Sequence, residues 1–176
     1  MDLDSLVFVD ESGAKTNMTR LYGRAMAGQR AVDNTPSGRW HTTTMISSVR
    51  LDGSTACMVV DGATNKDVFE AYVEQILLPS LKAGDIVVLD NLSAHKNQRV
   101  RALVKSVGAE LWHLPAYSPD LNPIEKMWSK VKSILRMLKA RTKEVLIEAI
   151  AKSLDMVTAS DVKGWFESCG YTNTIN

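Results

Sequence analysis

Tyr117-Ser118-Pro119-Asp120-Leu121-Asn122-Pro123-Ile124-Glu125 begins as a turn and ends as a helix. Proline fixes φ, and Ser and Asp bond nearby backbone, so the first half reads as a loop. Asn122 stands at an N-cap position, and Pro123 at the first helical position, where a missing N–H costs nothing. Asp120 and Asn122 are read as shaping the turn. Glu125 is then the third residue of a helix with a rigid start. Ile124, Met127, Trp128, Val131, Ile134, Leu135 and Leu138 form its apolar stripe. At 100° per residue, Ser129, Lys132, Arg136, Lys139 and Lys143 fall within about 40° of Glu125. Two readings stand side by side. One is a solvated face whose glutamate favours the helix dipole; the other is a metal-binding carboxylate at the head of a track for a polyanion.

Two stretches upstream share a pattern. Leu6-Val7-Phe8-Val9 is a continuous run of β-formers ending in Asp10, and Ile86-Val87-Val88-Leu89 is another ending in Asp90. Unbroken rather than alternating hydrophobicity predicts central strands buried on both faces. The second run follows a helix, so it is expected to be parallel to a neighbour, with Asp10 and Asp90 at one carboxyl edge. In open α/β sheets that edge is where ligands bind.

Between these landmarks, residues 14–40 are polar and predict an excursion or a small hairpin. Arg20, Arg24, Arg30, Arg39 and Trp40 are candidates there for a phosphate backbone or a stacked base, or are ordinary surface. His41–Leu51 and Thr55–Val60 predict a β-hairpin across Asp52-Gly53. A helix is expected from Lys66 to Leu78, capped by Thr64 or Asn65. Val100, Leu103, Val104 and Val107 mark another, ended by Gly108. Glu110–Leu114 reads as a third parallel strand, Lys143–Val157 as an amphipathic helix, and Trp165-Phe166 as a short closing helix. Trp112, Trp128 and Trp165 are expected in the core, and Asp61 and Asp85 in turns.

The totals describe one globular domain with a sizeable core: 176 residues, 45% hydrophobic and 23% charged. No apolar run approaches a membrane span, and the acidic start is unlike a signal peptide, so a cytoplasmic protein is expected. Cys57 and Cys169 lack companions at zinc spacing and read as reduced and structural. Formal net charge is only +1. Its distribution says more: residues 1–88 carry net −3 and residues 89–176 net +4. Lys126 to Lys143 holds seven basic residues and no acidic one, the electrostatic footprint of a nucleic-acid partner when clustered on one helix.

Strand, hairpin, helix, strand, helix, strand and helices together predict an α/β fold, a mixed sheet of about five strands with helices on its faces. Asp10, Asp90 and Glu125 then converge. Three neighbouring carboxylates repel and raise their own pKa values, so a compensating cation is required. An all-oxygen donor set suits Mg²⁺ or Mn²⁺, and two such ions catalyse in-line phosphodiester displacement.

The set Val7-Phe8-Val9-Asp10-Glu11-Ser12-Gly13, Val87-Val88-Leu89-Asp90-Asn91-Leu92-Ser93-Ala94-His95 and Tyr117 to Glu125 resembles the catalytic domain of DDE transposases. More narrowly it resembles the bacterial insertion-sequence branch of the mariner-like superfamily. The resemblance spans about Leu6 to Tyr171. Asp90 and Glu125 lie 125 − 90 = 35 positions apart, as in that group. It implies a ribonuclease H-like fold, with Asp10, Asp90 and Glu125 as the catalytic, metal-binding triad for two Mg²⁺ or Mn²⁺ ions. It further implies cleavage at transposon ends, strand transfer into target DNA, and a homodimer on double-stranded DNA in the bacterial nucleoid. His95, Lys96, Lys132, Arg136, Lys139 and Arg39 are the candidate DNA contacts, His95 being equally a loop-structuring residue. Glu11 is expected to point away from Asp10.

Relatives carry helix-turn-helix modules ahead of the catalytic domain. Here residues 1–176 read as the catalytic domain alone, so end recognition is expected from a fusion or a separately encoded helix-turn-helix protein. A ribonuclease H-like nuclease without strand transfer, and an inactive or regulatory DNA-binding remnant, are the alternatives.

Overall fold

Strand β1 (Leu6–Lys15) lies at the centre of a five-stranded mixed sheet. The computed structural model describes residues 2–90 and 97–172. On one side β1 pairs antiparallel with β2 (Thr42–Val49), which pairs antiparallel with β3 (Thr55–Asp61). On the other it pairs parallel with β4 (Ile86–Leu89), which pairs parallel with β5 (Glu110–His113). The order is β3-β2-β1-β4-β5, the predicted mixed sheet.

Helices cover both faces, which is why β1 and β4 read as unbroken apolar runs. Val7, Val9, Val87 and Leu89 pack beneath α1 (Lys66–Tyr72) and α2 (Gln98–Ser106) through Phe69, Tyr72, Val100 and Val104. On the opposite face Leu6, Phe8 and Val88 meet α3 (Pro123–Leu138), α4 (Lys143–Asp155) and α5 (Ala159–Ser168) through Trp128, Val131, Leu146 and Phe166. Phe8 is fully buried and meets Phe166 edge-on, with ring centroids 5.2 Å apart. Truncating such a side chain to alanine costs about 3–5 kcal/mol.

Several expectations need correction. Asp10 does not end its strand: the antiparallel register runs on from Asp10↔Ser47 to Lys15↔Thr42, while the parallel pairing with β4 stops at Phe8↔Val88. Asp10 therefore stands where the sheet opens beside β4. Of the two readings of residues 14–40 the excursion holds: after β1 ends, residues 17–40 run irregularly over the surface and form no hairpin. Helix α1 starts as expected, Asn65 Oδ1 accepting from Val68 N–H at 2.9 Å. It then widens to a π turn (Val73–Leu77) and tightens to a 3-10 turn (Leu78–Ser80), where Pro79 lacks the N–H to continue it.

Trp112 is not core. It sits on the edge strand β5, 46% exposed, with Nε1 donating to Glu110 at 2.8 Å. The alternation that buries Leu111 on the face covered by α2 turns Trp112 to the other face of the edge strand, where it stays half exposed. Asp85 is more than a turn residue. It is buried and takes a two-point hydrogen bond from Arg50, at 3.1 and 2.5 Å, plus one from Lys82 N–H at 2.6 Å. Burial pushes its pKa up, but Arg50 and the Lys82 amide outweigh it and hold the carboxyl below its ordinary value. Asp61 is exposed at the end of β3 and pairs with Lys143 at 2.6 Å. Gly53, at φ 87°, closes the β2–β3 turn, and a Cβ there would lie 2.9 Å from Ala159 N.

Candidate active site

Strand parity brings the first two acids to one face. On β1, Leu6 and Phe8 face α3, and so does Asp10: the Trp128 indole Nε1 donates to Asp10 Oδ2 at 3.2 Å. Glu11 lies on the other face, beside Val9 and opposite Ile46, as the pleat requires. Asp90 is the first residue past β4, two positions beyond Val88, and lines a cleft of about 310 Å³ with Glu125.

The third acid is set by the chain between β5 and α3. Residues 115–118 wall the cleft, with Tyr117 fully exposed at φ 59°. A left-handed tyrosine is an uncommon backbone state that surrounding structure must enforce. A 3-10 turn (Pro119–Leu121) follows, then Asn122 at the N-cap and Pro123 at the first helical position. Glu125 is exposed in the first turn of α3, as expected. The expected capping role of the Asn122 side chain fails, however: it makes no capping hydrogen bond. Its Oδ1 is buried with no hydrogen-bond partner among the described residues.

Electrostatics tie the three together. Asp10 is only 8% exposed, and its pKa is raised from 3.8 to about 7. Burial is the largest cause; the Glu125 and Asp90 carboxylates add to it, while hydrogen bonds from the Glu11 backbone and Trp128 oppose it. A carboxyl still about half protonated at pH 7 is the signature of negative charge crowded into a partly dry place. Among the described residues, no three His, Cys, Asp or Glu side chains are gathered closely enough to cage an ion as they stand. The donor chemistry nevertheless fits a hard divalent cation: Asp90 and Glu125 line one cleft, and Asp10, close enough to feel both charges, is destabilised as an anion.

The candidate DNA contacts are dispersed. Lys132 and Arg136 are half-buried on α3. Lys139 ends α3 in a left-handed C-cap at φ 52°, with Nζ 3.3 Å from Asp33. Lys143 starts α4, so it does not continue the face led by Glu125, and Leu138 is 48% exposed where the helix stops. Arg39 is exposed, next to Trp40, over whose ring Lys15 Nζ sits at 5.9 Å from the centroid. His95 and Lys96 lie outside the described residues. A second groove of about 440 Å³ runs between α3 and α5, lined by Lys126, Ser129, Lys130, Asp161 and Trp165 among others, and within it Lys130 Nζ pairs with Asp161 at 2.5 Å. Trp128 was legible as core; its hydrogen bond to Asp10 was not, since 118 residues separate them.

A profile of the family described as DDE superfamily endonuclease matches residues 5–147. The transposase of the transposable element Tc1 from Caenorhabditis elegans is 28% identical over 82 residues, 47% of this chain and 30% of that relative. Among solved structures, the Mos1 transposase paired-end complex with the left transposon end aligns over 95% of this chain and 52% of its own, with a TM-score of 0.73 and 15% identity. The Mos1 mariner transposase catalytic domain aligns over 95% of this chain and 78% of its own, with a TM-score of 0.65 and 14% identity. The fold is shared with both. This chain spans less than a third of the curated relative and about half of the paired-end complex chain.

Proposed function

This chain belongs to the DDE superfamily endonucleases, and on that footing we propose that residues 1–176 are a transposase catalytic domain that cleaves DNA and transfers strands during transposition of an insertion sequence. One observation carries the reading: Asp90 and Glu125 line one cleft, and Asp10, held by Trp128 of α3, lies close enough to both that its carboxyl is pushed up to about 7 by burial and by their charges. Such a group gains by ionising only when a cation is at hand.

Asp10, Asp90 and Glu125 would hold two Mg²⁺ or Mn²⁺ ions, which supply Lewis acidity toward a phosphodiester. Solved Mos1 paired-end complexes are described with Mn and with Mg. Trp128 fixes the Asp10 carboxyl from beneath, and the rigid start of α3 fixes Glu125. In cleavage, a water oxygen bonds to phosphorus, the P–O3′ bond breaks, and the water's proton ends on the 3′-oxygen. In strand transfer, that 3′-hydroxyl oxygen attacks a target phosphodiester, and a target 3′-hydroxyl leaves with the proton. One bond of a kind replaces another, so no energy source is required.

Double-stranded DNA, as transposon end and target, is the proposed substrate. Lys132 and Arg136, further along α3 from Glu125, and Lys126 supply cationic groups for its backbone, while Lys130 is engaged by Asp161. A homodimer on DNA, and a helix-turn-helix partner or fused module for end recognition, complete the proposal. Among the described residues, no helix is long and apolar enough to cross a membrane.

The test is nicking of supercoiled DNA with Mg²⁺ or Mn²⁺, lost in Asp90→Ala, together with joining of a pre-cut 3′ end to a second duplex. Nicking without joining would indicate a nuclease. Neither activity, with the DNA-binding partner supplied, would indicate a remnant.

A further inference from the structure

Asn122 is 4% exposed and lines the cleft between Asp90 and Glu125. At an N-cap, an asparagine oxygen ordinarily accepts from an N–H of the first turn. Here Pro123 has no N–H, and Glu125 N–H bonds the Asn122 main-chain oxygen at 3.1 Å. The side-chain oxygen is left with no partner among the described residues. A buried acceptor without a donor costs free energy that a purely structural role would not require. Its chemistry also selects its ligand. A carbonyl oxygen cannot hydrogen-bond the acceptor oxygens of a phosphodiester, but it accepts readily from an O–H group. In the reaction proposed above, the only O–H reactants are the attacking water and the 3′-hydroxyl.

We propose that Asn122 is a catalytic residue: its Oδ1 accepts a hydrogen bond from the attacking O–H group, water in cleavage and 3′-hydroxyl in strand transfer, and aims the oxygen's lone pair at phosphorus. This assignment rests on the nuclease reading. It explains why the third motif places a polar side chain inside the cleft wall rather than a smaller apolar one. It also makes one residue serve both chemical steps, since both nucleophiles present the same donor.

The test uses the whole chain under single-turnover conditions, with supercoiled plasmid for cleavage and a pre-cut duplex bearing a 3′-hydroxyl for joining. Asn122→Ala is expected to slow both steps by about a hundredfold to a thousandfold, the usual cost of losing one oriented hydrogen bond to a reacting group. Its DNA affinity and Mn²⁺ affinity are expected to match wild type, and its melting temperature to be no lower, since no side-chain hydrogen bond is lost and an unpaired buried acceptor is removed. Asn122→Asp, which keeps an acceptor oxygen at that point, is expected to retain a rate well above that of Asn122→Ala. Wild-type rates in Asn122→Ala would overturn the assignment. So would a rate lost in step with Mn²⁺ affinity, which would make Asn122 a cation ligand, or in step with melting temperature, which would make it a cap. A wild-type chain inert with every divalent cation would overturn the nuclease reading, and this assignment with it.

Discussion

Replacing Asp10 with asparagine should stabilise the metal-free protein at neutral pH and leave it unchanged in acid. Asp10 ionises near 7 instead of 3.8. At about 1.4 kcal/mol for each pH unit, that difference corresponds to about 4 kcal/mol. The group is nearly buried, so solvent screening takes little from it. The sign follows from proton linkage. Folded protein holds the proton more tightly than unfolded chain, so the contribution is whole below pH 3.8. It falls as pH rises and is lost by about pH 7. Asn122 is untouched by the exchange, and the Trp128 indole can donate to an amide oxygen as it does to the acid. Urea unfolding in EDTA, repeated from pH 4 to pH 8, reads the difference between Asp10→Asn and wild type. The expected curve starts near zero and climbs to a few kcal/mol in favour of the variant by pH 7.5. A flat difference across that range would refute the claim that burial and neighbouring carboxylates raise the Asp10 pKa.

Three further outcomes follow from other parts of the molecule. Arg50→Met should cost about 3–5 kcal/mol in denaturant unfolding, because it strands the buried Asp85 carboxylate without its two-point partner. Gly53→Ala should destabilise by about 1–2 kcal/mol from the left-handed backbone alone, and by more where the new Cβ meets Ala159 N; a thermal melt reads it. In DNA binding across a salt series, Lys132→Ala and Arg136→Ala should each lower the slope of log affinity against log salt by about 1 if each contacts a phosphate, and an unchanged slope removes that residue from the interface.

Much of the fold was legible because its signals are local. Leu6–Val9 and Ile86–Leu89 are unbroken runs that only a doubly covered sheet accommodates, and the β2–β3 hairpin is written in Asp52-Gly53. Parity along those strands also placed Asp10 and Glu11 on opposite faces. What escaped was set by tertiary neighbours. Trp112 looks apolar in a strand, but being on an edge is a property of the sheet. Lys139 and Lys143 were aligned with Glu125 by extending the helix, and no glycine or proline marks its end; Lys139 itself takes the left-handed cap. Asp85 finds Arg50 across 35 residues, and Asp10 finds Trp128 across 118. Asn122 was legible as an N-cap by residue type, and only the structure shows it at the cleft wall with a buried side-chain oxygen that makes no capping bond.

Direct titration of Mn²⁺ into the protein, followed by calorimetry or by loss of the free-ion spin-resonance signal, bears most closely on a shared acidic site. The account predicts two bound ions for wild type, with binding weakened at least tenfold in each of Asp10→Asn, Asp90→Asn and Glu125→Gln. Undiminished binding in Glu125→Gln, with the other two variants impaired, would contradict the claim that the first turn of α3 closes the same site that opens between β1 and β4.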